Sequence, residues 1–187
     1  AQLNDLGLEL RRERTARARF LLPHALHDGH PLGDEPLISD VRQTGSSPVL
    51  DGLAELRAAG WLVGIITNGT ADNQLGKIQR TGLAEAVNAY ALSGIEGIRK
   101  PETGLFEIAA KQCGASLADG GWIIGDHLVA DVGGGQAAGL RTIWIDRGTW
   151  PDHEHSADHV VTDVIHAMDI LKRHPSDPDA FGGRATA

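Results

Sequence analysis

A single cysteine, Cys113, stands among 187 residues, so no intrachain disulfide can form and the chain fits a reducing compartment. An excess of basic charge is also lacking: 17 Lys and Arg face 25 Asp and Glu, a formal net charge of -8. That balance argues against a nucleic-acid polyanion as a general partner, because such binding is driven mainly by basic surface. A small anion in a local pocket is still compatible with it. No apolar run approaches the roughly 20 residues needed to cross a bilayer. The polar start Ala1-Gln2-Leu3-Asn4-Asp5 is not a signal peptide. The expectation is a cytoplasmic protein with neither nucleic acid nor membrane as partner.

What is present reads as a soluble globular chain, 41% apolar and 22% charged, long enough for one domain with a small appendage. Residues 1–47 hold Leu3, Leu6, Leu10 and Phe20 to Leu22 at roughly helical spacing, then a Pro-, Gly- and His-containing stretch from Pro23 to Pro48. The basic run from Arg11 to Arg19 is either a solvated helix face or a patch that greets an anionic substrate. From Pro48 to Arg173 helices and short apolar strands alternate, which predicts an α/β fold: a Rossmann-like parallel sheet with helices on both faces. The pattern predicts helices over Pro48–Ala59, Ala71–Thr81, Glu102–Gln112, Val132–Ala138 and Asp163–Arg173. Strands are predicted at Trp61–Thr67, Ala89–Leu92, Trp122–Gly125 and Thr142–Ile145, with His159–Thr162 at an edge. Residues 174–187 are polar and expected to be disordered.

In an open parallel sheet, ligands bind beyond the carboxyl ends of the strands, so the polar residues there are the ones to inspect. Three sets qualify. Thr67-Asn68-Gly69-Thr70 follows an apolar strand and offers a hydroxyl and successive backbone N–H groups at a strand-to-helix turn, a cradle for an anion. Arg99-Lys100-Pro101-Glu102 precedes a helix and offers a compact positive charge. Gly125-Asp126 and Asp131 give two carboxylates five residues apart at a strand mouth, a donor set for a hard cation such as Mg²⁺. Each set alone has an ordinary explanation: an Asn-Gly turn, a surface lysine, an N-cap with a solvated acid. Together, in this order, they point to phosphate chemistry.

The apolar strand with Thr67-Asn68-Gly69, the Lys100-Pro101 before a helix with Phe106, and Gly125-Asp126 with Asp131 resemble the haloacid dehalogenase-like hydrolase superfamily. The match runs from about Pro48 to Arg147 and includes Ala138-Gly139-Leu140 and Trp144-Ile145-Asp146-Arg147. It is most similar to the phosphatases with a small helical cap, of which residues 1–47 would be a partial form. The resemblance implies that Thr67 and the N–H groups of Asn68 and Gly69 hold the phosphoryl oxygens of a small phosphorylated metabolite. It further implies that Lys100 neutralises the crowded anions and that Asp126 and Asp131 hold Mg²⁺. Hydrolysis would pass through an aspartyl-phosphate.

The family's nucleophile, an Asp-x-Asp at the end of a hydrophobic strand, has no counterpart before Thr67. Asp5 follows polar residues, Asp40 lacks a second acid two places on, and Asp177-Pro178-Asp179 lies in the polar tail. Either the sequence begins after a missing strand, which is the favoured expectation, or another strand fills its place. Two other functions stand beside the phosphatase: a non-catalytic ligand-binding member of the superfamily, and a haloacid dehalogenase, against which the paired carboxylates speak. Gly133-Gly134-Gly135-Gln136-Ala137-Ala138 fits a dinucleotide fingerprint in letters only, since it does not directly follow a strand. His153-Glu154-His155 with Asp158 and His159, and the group His24, His27 and His30, lack a rigid frame for a metal.

Overall fold

The computed structural model describes residues 20–23, 47–150 and 153–173. Among the described residues six strands form one parallel sheet: β1 (Phe20–Pro23), β2 (Leu62–Thr67), β3 (Ala89–Leu92), β4 (Gly121–Gly125), β5 (Arg141–Ile145) and β6 (His159–Val161), in the order β3-β2-β1-β4-β5-β6. Helices α1 (Pro48–Ala58), α2 (Ala71–Arg80), α3 (Leu83–Ala86), α4 (Ser93–Glu96), α5 (Thr103–Gln112), α6 (Gly134–Ala137) and α7 (Val164–Arg173) connect and cover them.

Period-two alternation along the strands splits the core between the two faces. On β2, Ile65 joins the cluster containing Leu53, Leu56, Met168 and Leu171 of α1 and α7, while Ile66 joins Leu105, Phe106 and Ala109 of α5. On β4, Ile124 belongs to the first cluster and Ile123 to the second. Both faces are therefore apolar, which is why these strands read as near-continuous hydrophobic runs. Helix α1 buries Val49, Gly52, Leu53 and Leu56, a stripe at helical spacing, and starts with Pro at a position where the missing N–H costs nothing. Just past its cap, Ala59, stands Gly60, whose φ of +88° favours glycine.

The structure departs from the sequence expectation at three points. The largest is β1. Phe20 to Leu22 read as part of a helix and the central strand as missing, yet Phe20–Pro23 fills the centre of the sheet, with Phe20 opposite both Leu62 and Gly121. An uninterrupted apolar triplet is the form a doubly covered central strand takes, and over so few residues periodicity cannot separate it from a helix. Second, the helix expected at Val132–Ala138 is a wide π-type turn over Leu128–Gly133 that passes into α6. Third, the short helices α3 and α4 have no counterpart in the expectation. The Arg11–Arg19 run, the group His24, His27 and His30, and the tail from residue 174 lie outside the described residues. No described helix is long and apolar enough to cross a membrane.

Candidate functional site

The three polar sets meet at the carboxyl ends of β2 and β4. Lys100 is 2% exposed, and its ammonium donates to Asp131 Oδ1 at 2.5 Å and to the carbonyl of Ile66, on β2, at 3.3 Å. Asp131 is fully buried, and its Oδ2 accepts the N–H of His127 at 3.1 Å. A charge removed from water at such cost needs a partner of this kind.

The turn after β4 explains how Asp131 reaches inward. His127 Nδ1 accepts the N–H groups of Val129 and Ala130 at 3.2 and 3.1 Å, and its carbonyl accepts those of Asp131 and Val132 at 2.9 and 3.3 Å. This widened turn is a form recurrent at functional sites. Gly125 completes the arrangement, because a Cβ there would occupy the space of the Asp131 carboxylate. Asp126, the first residue beyond β4, is held differently: its Oδ2 forms an ion pair with Arg147 Nε at 3.1 Å, and its carbonyl accepts Trp144 Nε1 at 3.2 Å.

Thr67 and Asn68 are buried at the end of β2. Thr67 Oγ1 donates to the Asn68 carbonyl at 3.1 Å. The Asn68 side chain binds the main chain of Lys100, accepting its N–H at 2.8 Å and donating to its carbonyl at 3.0 Å. The N–H of Gly69 donates to Ser93 Oγ at 2.9 Å, so an anion at that N–H must share it with Ser93. Beside this loop, Gly69, Gln74, Ser93, Ile98 and Arg99 line an open cavity of about 600 Å³.

Sequence reading brought Thr67, Asn68, Gly69, Lys100, Asp126 and Asp131 to notice but missed Arg147, Ser93 and His127. Arg147 and Ser93 stand just past the ends of β5 and β3, where the strand-end rule would have flagged them. His127 lies between the two carboxylates, with no sequence signal that its ring would cap a turn. Two histidines of the His153–His159 group meet tryptophans: His153 lies 5.3 Å from Trp150 and His155 4.8 Å from Trp144 between ring centroids. Among the described residues no group of three or more His, Cys, Asp or Glu could hold a metal ion. Asp126 and Asp131 nonetheless offer only oxygen donors, which suits a hard cation that keeps several waters. The glycine-rich run packs closely against its neighbours: a Cβ on Gly134 would lie 2.9 Å from Pro101 Cα, and one on Gly135 would run into Ile123 of β4.

Residues 97–167 match the HAD-hydrolase-like family model. The phosphoserine phosphatase of Thermus thermophilus is 38% identical over 113 residues, covering 60% of this chain and 45% of that protein. The ribulose-1,5-bisphosphate 5-phosphatase of Halopiger xanaduensis is 32% identical over 142 residues, covering 75% and 56%. Among solved structures, YfnB of Bacillus subtilis, determined with magnesium bound, superposes with a TM-score of 0.54 at 28% identity, covering 65% of this chain and 52% of that one. The chain spans about half the length of the curated relatives it matches.

Proposed function

We propose that this chain, whose α/β core is that of a haloacid dehalogenase-like hydrolase, binds the phosphoryl group of a small phosphomonoester and serves its hydrolysis. The observation that carries the reading is the buried Lys100–Asp131 pair, set against the Thr67-Asn68 loop where the strands open. A paired cation in a water-poor site is a preorganised partner for phosphoryl charge and needs no reorganisation when the anion arrives. Thr67 Oγ1 and the N–H of Asn68 would orient phosphoryl oxygens, with that of Gly69 sharing its donor between Ser93 and the anion. Asp126 and Asp131 would hold a Mg²⁺, which supplies charge neutralisation at the phosphoryl group. The named activities of the relatives support a small phosphorylated metabolite as substrate.

Hydrolysis through an aspartyl-phosphate also requires a carboxylate in line with the leaving oxygen. None lies between Phe20 and Pro23 of the central strand, and the first one after it in sequence is Asp28, outside the described residues. That observation favours a second reading, in which the site binds a phosphorylated ligand without turning it over. The paired Asp126 and Asp131 continue to speak against a metal-free dehalogenase.

One experiment separates these. Phosphate release from p-nitrophenyl phosphate is measured with Mg²⁺ and with excess EDTA, alongside calorimetric titration of inorganic phosphate. Mg²⁺-dependent release supports the hydrolase, binding without release supports the second reading, and neither binding nor release overturns both.

A further inference from the structure

We infer that the side chain of Asn68 is a positioning residue for Lys100, fixing the main chain from which the ammonium reaches Asp131, rather than a ligand of the phosphoryl group. The orientation of its amide is determined by its partners. A backbone N–H can only donate, so Oδ1 must face Lys100 N; a carbonyl can only accept, so Nδ2 must face Lys100 O. The two bonds, 2.8 and 3.0 Å, grip both polar groups of one residue across 32 positions of sequence. With Asn68 only 5% exposed, water offers poor competition for them.

The consequence concerns the lysine. A flexible four-carbon stem carries about 2 kcal/mol of rotamer entropy, so an ammonium is placed well only when its stem is held. Here Asn68 holds the main-chain end, and Asp131 Oδ1 and the Ile66 carbonyl hold the ammonium end. The loop that carries Asn68 is tied in turn, by Gln74 Nε2 to the Asn68 carbonyl at 3.4 Å and by Ser93 to Gly69. Strands β2 and β4 thus share one rigid frame through Lys100. Oδ1 and one of the two Nδ2 hydrogens are committed to that frame, so most of the side chain's hydrogen-bonding capacity goes to Lys100 and at most one N–H is left for any other partner.

This rests on the proposed function only for its kinetic readout. The test compares wild type with Asn68→Ala and Asn68→Asp in three measurements: the ¹⁵N-edited NMR signal of the Lys100 ammonium, hydrogen exchange of the Lys100 amide, and kcat and KM for p-nitrophenyl phosphate with Mg²⁺. Asn68→Ala is expected to broaden or shift the ammonium signal, to speed exchange of the Lys100 amide but not of β4 amides, and to lower kcat about tenfold or more with little change in KM. Asn68→Asp keeps the acceptor for Lys100 N–H and loses the donor to its carbonyl, so an intermediate effect is expected; it carries the test if the alanine variant fails to fold. Wild-type Lys100 signals in both variants overturn the inference. So does a rise in KM with those signals unmoved, since Asn68 would then touch the phosphoryl group itself. A wild type that releases no phosphate overturns the hydrolase reading, and the two spectroscopic measurements still decide the placement of Lys100.

Discussion

Lys100 and Asp131 meet at 2.5 Å with neither side chain exposed, and Lys172 and Glu55 meet at the same 2.5 Å with 31% and 63% of theirs in water. Equal length conceals opposite physics. The exposed pair links α7 to α1 across the surface, where water and salt screen it and such bridges contribute about 0 to 1 kcal/mol. The buried pair has surrendered the hydration of two ions, a cost its mutual attraction only roughly offsets. A pair of that kind is a poor device for stability. Its place at the mouths of β2 and β4 suits the role proposed above, a fixed charge that a phosphoryl group would meet without waiting for water to rearrange.

The largest effect should come from breaking the buried pair. Lys100→Met leaves Asp131 as an unpaired interior charge and should cost about 3–5 kcal/mol in urea unfolding. Lys100→Met combined with Asp131→Leu should recover most of that loss, because the desolvation cost disappears with both charges. A double variant as unstable as the single one would break the comparison. Next in size is Asp126→Asn. Its carboxylate is only 11% exposed and paired with Arg147, so stability should fall by about 1–3 kcal/mol, less than for Lys100→Met. Mg²⁺-dependent phosphate release should nevertheless fall about a hundredfold or more, since losing even an outer partner of a metal ligand costs about 10–100-fold. Removal of Mg²⁺ with EDTA should mimic it.

Smaller effects sharpen the contrast. Burial pushes the Cys113 thiol up to about 11, so the folded chain keeps this proton longer than the unfolded one. Below the ordinary thiol range both states are protonated and pH has no effect through this group. Stability should fall as pH climbs from that range to about 11, and the Cys113→Ala variant should lack this part of the decline. Iodoacetamide should leave native Cys113 unmodified at pH 8 and label it in urea. Smallest of all should be Lys172→Ala, at about 1 kcal/mol or less. The Glu55 carboxylate, through its hydrogen bond, raises the Lys172 ammonium above its ordinary value. The contribution is therefore complete below the ordinary lysine range and lost as pH rises through the raised value. High salt should weaken it and leave the buried pair untouched.

Which parts of this could be seen in the sequence follows from range. Helix α1 and strands β2 to β6 were legible because apolar spacing and glycine stops are local, and Gly60 ends α1 as its backbone requires. The six candidate residues came to notice by position, Thr67 and Asp126 at strand ends and Lys100 ahead of a helix, and the structure gathers Lys100, Asp131 and the Thr67-Asn68 loop at the mouths of β2 and β4. β1 was not, since four residues carry too short a pattern to distinguish strand from helix, and its proof is pairing with Leu62 and Gly121 far along the chain. The grip of Asn68 on Lys100 and of Arg147 on Asp126 were hidden for the same reason: side-chain contacts between residues distant in sequence leave no periodicity behind.

The most direct test of the account is calorimetric titration of inorganic phosphate, with Mg²⁺ present, into wild type, Lys172→Ala and the Lys100→Met/Asp131→Leu double variant, each checked for folding by thermal unfolding. The account predicts equal affinity in wild type and Lys172→Ala, and a loss of about a hundredfold or more in the double variant although it remains folded. Phosphate binding of wild-type strength in a folded double variant would contradict it, because the buried pair would then have no part in holding the anion.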